Sequence, residues 1–310
     1  MSRRKREADS KVGGVWYPRW FWPAFATPST LWLLFLFVVP FYAILSVAFG
    51  RIDPIFGNPV PVWNPFHWDS TAFRFVLNQT FLRGGIYQPA FMRTLIYVGS
   101  ALAICLVVGY PVAYFISRHG GRWKTFLLVA LIAPFWISYL MRMLAWVNLL
   151  QDDGLVNKSL HMLHLIGAPK HWLEGEGITV VLGLVYGYIP YMILPLYGAL
   201  DRIDRSLLEA ARDLGASPRR TFFRVTLPLS KQAILAGSVI VTLPMFGDYY
   251  TQDLLSASPK TTMVGNVVDH AISSPFVTRA AGLVTVMMVL LIVPMFYYLY
   301  STARASREAA

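Results

Sequence analysis

Only one cysteine, Cys105, occurs in the 310 residues, and it lies inside an apolar run. A single thiol excludes an intrachain disulfide and a thiolate metal cluster, so it reads as a small buried hydrophobe. Charge is scarce as well. Charged residues make up 14% of the chain, against about 25% in an ordinary soluble domain. Acids are the scarcer sign, with 16 Asp and Glu against 27 Lys and Arg. No GxxxxGK[ST] loop is present, so the chain has no P-loop phosphate cradle of its own. There is no HExxH pair, and no Ser, His and Asp stand in a recognisable nucleophile context, so a catalytic reading finds little to build on.

What the chain has is oil. Hydrophobic residues make up 56% of it, and the mean hydropathy is +0.51. Several uncharged stretches reach the roughly 20 residues that a helix needs to cross a bilayer. The fold class expected is all-α: a polytopic membrane protein with about six transmembrane helices. Hydropathy places the spans at 29–49, 95–116, 125–150, 178–200, 231–255 and 280–300. The first reads as an uncleaved span, because Pro40 and aromatics follow it where a small-residue cleavage site would stand.

The basic residues set the orientation. The N-terminal tail with its RRKR, the loop SRHGGRWK (117–124), the loop 201–231 and the C-terminal tail hold most of the 27 lysines and arginines. The positive-inside rule then puts both termini and these loops in the cytoplasm. Topology accounts for the +11 net charge, and no nucleic-acid partner is needed. The expected organisation is a basic, aromatic N-terminal segment 1–28, a membrane domain 29–303 and a tail 304–310. VWYPRWFWP in the first segment reads as an aromatic belt at the inner interface. The external loop 51–93, rich in Pro, Trp and Phe, reads as a folded cap.

Charged and aromatic residues inside spans mark candidate pathway positions, since an intramembrane charge faces a cavity or a partner. Asp248 and Asp253 follow Pro244 and Gly247, where a helix can kink or unwind. On a regular helix they stand about 140° apart, at two levels of a vestibule. Asp248 would share a face with Gln252, and Tyr249 with Asp253. Tyr249 and Tyr250 flank them. Tyr186, Tyr188 and Tyr191 cluster around Pro190, beside the close-packing pair Gly183 and Gly187, and Trp136 joins the list. Arg142 in span three reads as paired with an acid, of this or a partner subunit, or as snorkelling outward. His161, His164 and His171 with Glu174 could hold a metal, but KSLHMLHLIG (158–167) reads as an amphipathic surface helix, so no metal is assigned.

The densest motif is LLEAARDLGASPRRTFFRVTLP, 207–228. Asp204 or Ser206 can cap a helix, and Ser206 with Glu209 fits a capping box. Gly215 suits a left-handed C-terminal cap. Ser217 and Pro218 open a second helix, which is expected to end before Pro228. Leu207, Leu208, Phe222 and Phe223 supply apolar knobs, with Arg219, Arg220 and Arg224 at the base. Glu209-Ala210-Ala211, three residues, Gly215, nine residues, Val225, one residue, Leu227-Pro228 resembles the EAA motif of bacterial ABC-importer permeases, with Val in the usual Ile place. FMRTLIYVGSALAICLVVGYPVAYFI, PFWISYLMRMLAW, YGYIPYMILPLYGALDRID and GDYYTQDLLSASPKTTMVGNVV resemble the spermidine/putrescine-type branch. Neighbouring branches for opines, ferric iron and other solutes share parts of these.

The resemblance implies a type I importer permease in the bacterial inner membrane. It implies a second permease subunit, two ATPase subunits that bind ATP and Mg, and an external solute-binding protein. The coupling loop 201–230 would dock on the ATPase through Leu207, Glu209, Ala210, Ala211, Gly215, Arg219, Arg220 and Phe222. The preferred substrate is a polyamine. A membrane enzyme is the rival reading, and it lacks a catalytic dyad. A passive channel would have no use for a coupling loop.

Overall fold

The computed structural model describes residues 11–12, 15–16, 20–53, 59–273 and 277–308. The RRKR cluster and Ala309–Ala310 lie outside them. The architecture is helical, with two two-residue strand pairs in addition: β1 (Lys11–Val12) with β2 (Val15–Trp16), and β3 (Arg51–Ile52) with β4 (Pro59–Val60), both antiparallel.

Helix α1 (Phe21–Ala48) begins well before residue 29 and carries Pro28 and Pro40. Only Ser46 and Ala48 of it are buried. A helix apolar all round and uncovered by protein is suited to lipid or to another subunit. The segment that follows is folded. Trp68 stacks on Phe49 at 4.9 Å, and its indole N–H donates to the Val62 carbonyl at 2.8 Å. Helix α2 (Thr71–Phe81) buries Val76 against Leu283 and Val286.

Helix α3 (Gln88–His119) and helix α7 (Gly177–Arg202) share the most extensive contact in the molecule. The approach is close because Gly109 has no side chain. A Cβ there would stand 3.3 Å from Ile193 and 3.4 Å from Met192.

The third apolar stretch is not one continuous helix, contrary to the expectation for 125–150. Helix α4 (Lys124–Ile132) passes into a 3₁₀ turn, Ala133–Trp136, and helix α5 (Tyr139–Leu150) departs at 90°. Pro134 withholds a backbone donor and strains the turn before it, and Ile137 and Ser138 are extended. Hydropathy averages over such a break and cannot see it.

Helix α6 (Leu155–Met162) is shorter than the amphipathic stretch 158–167 suggested, since His164 adopts φ 57°. Buried Asn157 holds this loop, donating to the carbonyls of Gln151, Asp152 and Lys170. His171 faces Asp152 at 3.0 Å.

Two short helices, α8 (Arg205–Asp213) and α9 (Pro218–Thr221), lead through a π turn (Phe222–Thr226) into α10 (Leu227–Leu229). The expectation that the second helix ends before Pro228 is therefore corrected. The wide turn, closed by the Leu227 N–H on the Phe222 carbonyl, makes room for the proline ring that a tight α-turn would exclude. Helix α11 (Lys231–Phe246) departs at 60° from the segment Pro218–Leu229. It stops at Gly247, and α12 (Tyr250–Leu255), α13 (Val264–Ile272) and α14 (Val277–Glu308) complete the chain. Among the described residues, four helices are long and apolar enough to cross a membrane, or up to six if each bent pair is one span.

Candidate functional site

Two loci stand out, and the first is the loop 201–230. Asp204, rather than Ser206, caps α8: its carboxylate accepts the Ser206 N–H at 3.0 Å. That hydrogen bond holds the Asp204 carboxyl below the usual carboxylate range. At the other end, Gly215 takes φ +80°. Its N–H donates to the Arg212 carbonyl at 2.8 Å, and the Ala216 N–H donates to the Ala211 carbonyl at 3.0 Å. This is a Schellman cap, which satisfies the last carbonyls of the helix. Ser217 then caps α9, accepting the Arg220 N–H at 3.3 Å.

The knob is anchored at its root and bare at its tip. Lys124 bridges to Asp201, and Arg118 donates to the Ile203 carbonyl at 3.2 Å. Phe222 packs edge-on against both Tyr110 and Tyr114 at 5.7 Å, and the Tyr110 hydroxyl meets the Ser230 hydroxyl at 2.8 Å. Phe222 thus faces the bundle. Outward stand Leu207 at 50% and Leu214 at 89% exposure, with Glu209, Ala210, Arg219, Arg220 and Phe223 also exposed and Ala211 partly so. Helix α8 buries none of its residues.

The second locus lies where the broken spans meet. Asp248, just past the break at Gly247, is 6% exposed. Its Oδ2 accepts the Tyr139 hydroxyl at 2.7 Å, the Tyr188 hydroxyl at 3.1 Å and the Thr251 hydroxyl at 2.8 Å. Its Oδ1 accepts the Thr251 N–H at 2.9 Å. Tyr139 comes from the first turn of α5, immediately after the 90° break. It reaches this place because Gly187 leaves room: a Cβ there would lie 2.8 Å from the Tyr139 ring. Gly183 serves α12 in the same way, since its Cβ would stand 2.6 Å from Thr251 and 2.4 Å from Leu255. Asp248 is thus a buried, saturated knot among three helices. The 140° relation expected between Asp248 and Asp253 fails because the helix breaks between Phe246 and Tyr250.

Asp253 accepts Asn266 Nδ2 at 2.8 Å. Tyr249 stacks on Tyr250 at 4.1 Å and lines, with Asp269, Phe41, Met287 and Met295, a separate apolar cavity of about 500 Å³. Tyr186 packs on Trp146 at 5.4 Å, and Tyr191 meets Phe135 edge-on at 6.3 Å. Trp136 stands 82% exposed at the break.

Arg142 has no acid of this chain within ion-pair distance among the described residues, which removes the intrachain member of the expected alternatives. Its guanidinium lies 4.1 Å over Phe135, 5.4 Å from Tyr139 and 5.8 Å from Tyr186. Tyr139, Thr251, Phe135 and Trp146 were not among the sequence candidates. Tyr139 was the findable one: it sits three residues before Arg142, on the same helix face.

Residues 105–307 match the family described as binding-protein-dependent transport system inner membrane component. The chain is 37% identical over 265 residues to the spermidine/putrescine transport system permease protein PotB of Haemophilus influenzae, covering 84% of this chain and 88% of that one. It is 32% identical over 198 residues to the inner membrane ABC transporter permease protein YdcU of Escherichia coli, over 59% of this chain and 63% of that one. A bacterial alginate ABC transporter, crystallised with its alginate pentasaccharide-bound periplasmic protein, shares the fold. Its TM-score is 0.65 at 16% identity, over 92% of this chain and 95% of that one. The matched stretch spans the loop 201–230, both broken spans and nearly all of the last helix, and the chain belongs to the family of membrane-spanning permease components of binding-protein-dependent ABC importers.

Proposed function

We propose that this chain is one permease subunit of a polyamine importer. It pairs with a second permease, receives its solute from an external binding protein and is driven by two copies of a separate ATPase that binds ATP and Mg. The loop 201–230 docks on that ATPase, and both termini face the cytoplasm of a bacterial inner membrane. The observation that carries the substrate reading is the 37% identity over 84% of the chain to a spermidine/putrescine permease.

Geometry supports the coupling role. A twice-capped knob, anchored at its root and baring Leu207 and Leu214 at its tip, suits a groove on another protein. Physics supports a cation pathway. Aromatic faces and buried carboxylate cluster at discontinuous helices, where secondary transporters place their ligands by the same economy of freed backbone groups.

The test is uptake in cells that lack polyamine import and express the full set of subunits. Labelled spermidine or putrescine should accumulate, and unlabelled polyamine should compete while neutral sugars and ferric chelates should not. Accumulation of only a neutral or anionic solute would refute the substrate assignment.

A further inference from the structure

Arg142 poses a problem that the transport reading does not absorb. Its side chain is 8% exposed, and Nε and Nη1 are buried with no hydrogen-bond partner among the described residues. A buried guanidinium ordinarily keeps a carboxylate or carbonyls on its N–H groups, because leaving them bare is costly. Here three rings hold it instead, Phe135, Tyr139 and Tyr186. The buried carboxylate one residue away in the network, Asp248, is taken by Tyr139, Tyr188 and Thr251. Tyr139 therefore stands between a cation on its ring face and an anion on its hydroxyl. Ring faces accept any organic cation of suitable size, and a guanidinium bound only to rings is exchangeable in a way that a hydrogen-bonded one is not.

We propose that Phe135, Tyr139 and Tyr186 form an alkylammonium-binding cage at the break in the third span, and that Arg142 is its resident plug. An incoming ammonium takes the place of the guanidinium over the rings and gains the field of Asp248 through Tyr139. The displaced Arg142 side chain moves to acceptors that it lacks in the plugged state. The cage is placed for this role: Phe135 and Tyr139 flank the 90° break, one before it and one after, and its third wall, Tyr186, is braced by Trp146 at 5.4 Å. The proposal rests on the cation-import reading and adds the site and its internal competitor.

The test uses the complete importer in nanodiscs, without the binding protein and without ATP. Equilibrium binding of two labelled probes is measured, putrescine and butylammonium. Arg142→Gln empties the cage and should tighten binding of both at least tenfold. Arg142→Lys keeps a cation there and should bind as the parent does. Adding Tyr186→Leu to Arg142→Gln should abolish the gain. On the unaltered protein, phenylglyoxal modification of Arg142, read by peptide mass, should speed up severalfold when butylammonium is present. That reading holds even if Arg142→Gln does not assemble. Unchanged affinity in Arg142→Gln, or a modification rate that butylammonium leaves unchanged or slows, would overturn the plug. A gain for butylammonium in an importer that carries no polyamine would leave the cage standing and remove only the substrate reading.

Discussion

At the residue scale, two glycines do opposite things, and their substitutions separate cleanly. Gly187 is a matter of space: a Cβ would meet the Tyr139 ring at 2.8 Å. Gly187→Ala should cost about 1–3 kcal/mol by overpacking, push Tyr139 off Asp248 and lower uptake. A thermal-shift measurement and transport assay on the purified complex check it. Gly215 is a matter of torsion, since nothing lies within 4 Å of its Cβ position and its φ is +80°. Gly215→Val forces a β-branched residue into the left-handed region, so membrane insertion should persist while stimulated ATP hydrolysis falls. Asp248→Asn tests the knot. An amide in place of the carboxylate presents donors to groups already donating, and each buried group left unpaired costs about 1–3 kcal/mol. The variant should lose thermal stability and uptake together. Asp253→Asn, whose described side-chain contact is with Asn266, should be the milder of the two, and equal losses would contradict the distinction.

At the element scale, the informative features are the interruptions. The two-helix knob was legible in advance because caps are local: Asp204, Gly215, Ser217 and Pro218 act on neighbours within four residues, so residue type and order suffice. The break after Pro134 went unread, since 125–150 reads as one span, and the knot at Asp248 was legible only in part. A proline and a glycine announce that a helix is interrupted, but the 90° departure of α5 depends on Gly187 in another helix making room for Tyr139. Arg142 misled for the same reason. A buried charge implies a partner, and the surroundings that this chain supplies, three rings, are set by tertiary packing that hydropathy does not carry. Topology can be tested at elements whose positions are exposed, Arg122 before α4 and Ser159 in α6. In a Cys105→Ala background, cysteines placed singly at Arg122 and Ser159 should react oppositely with an impermeant thiol reagent applied from outside. Reaction of both from one side would break the six-span arrangement.

At the scale of the whole molecule, the chain has the look of a part. Helix α1 exposes Trp32 and Phe37 at 62% each, far more apolar surface than a self-sufficient soluble protein leaves open. Such a face suits lipid and, under the proposed assembly, a second permease. The knob of α8 and α9 is tied at its root to α3 through Tyr110, Tyr114 and Arg118, while α3 packs along α7, which carries Tyr188 to Asp248. A push on the knob thus has a packed route to the knot where the broken spans meet, and the account stands or falls on that connection. The direct measurement is ATP-driven accumulation of labelled spermidine by proteoliposomes that hold this chain, its partner permease, the ATPase and the loaded binding protein. We predict accumulation that requires ATP and is lost in Gly215→Val with the complex still assembled. Accumulation that ignores ATP, or that Gly215→Val leaves at the parent rate, would contradict it.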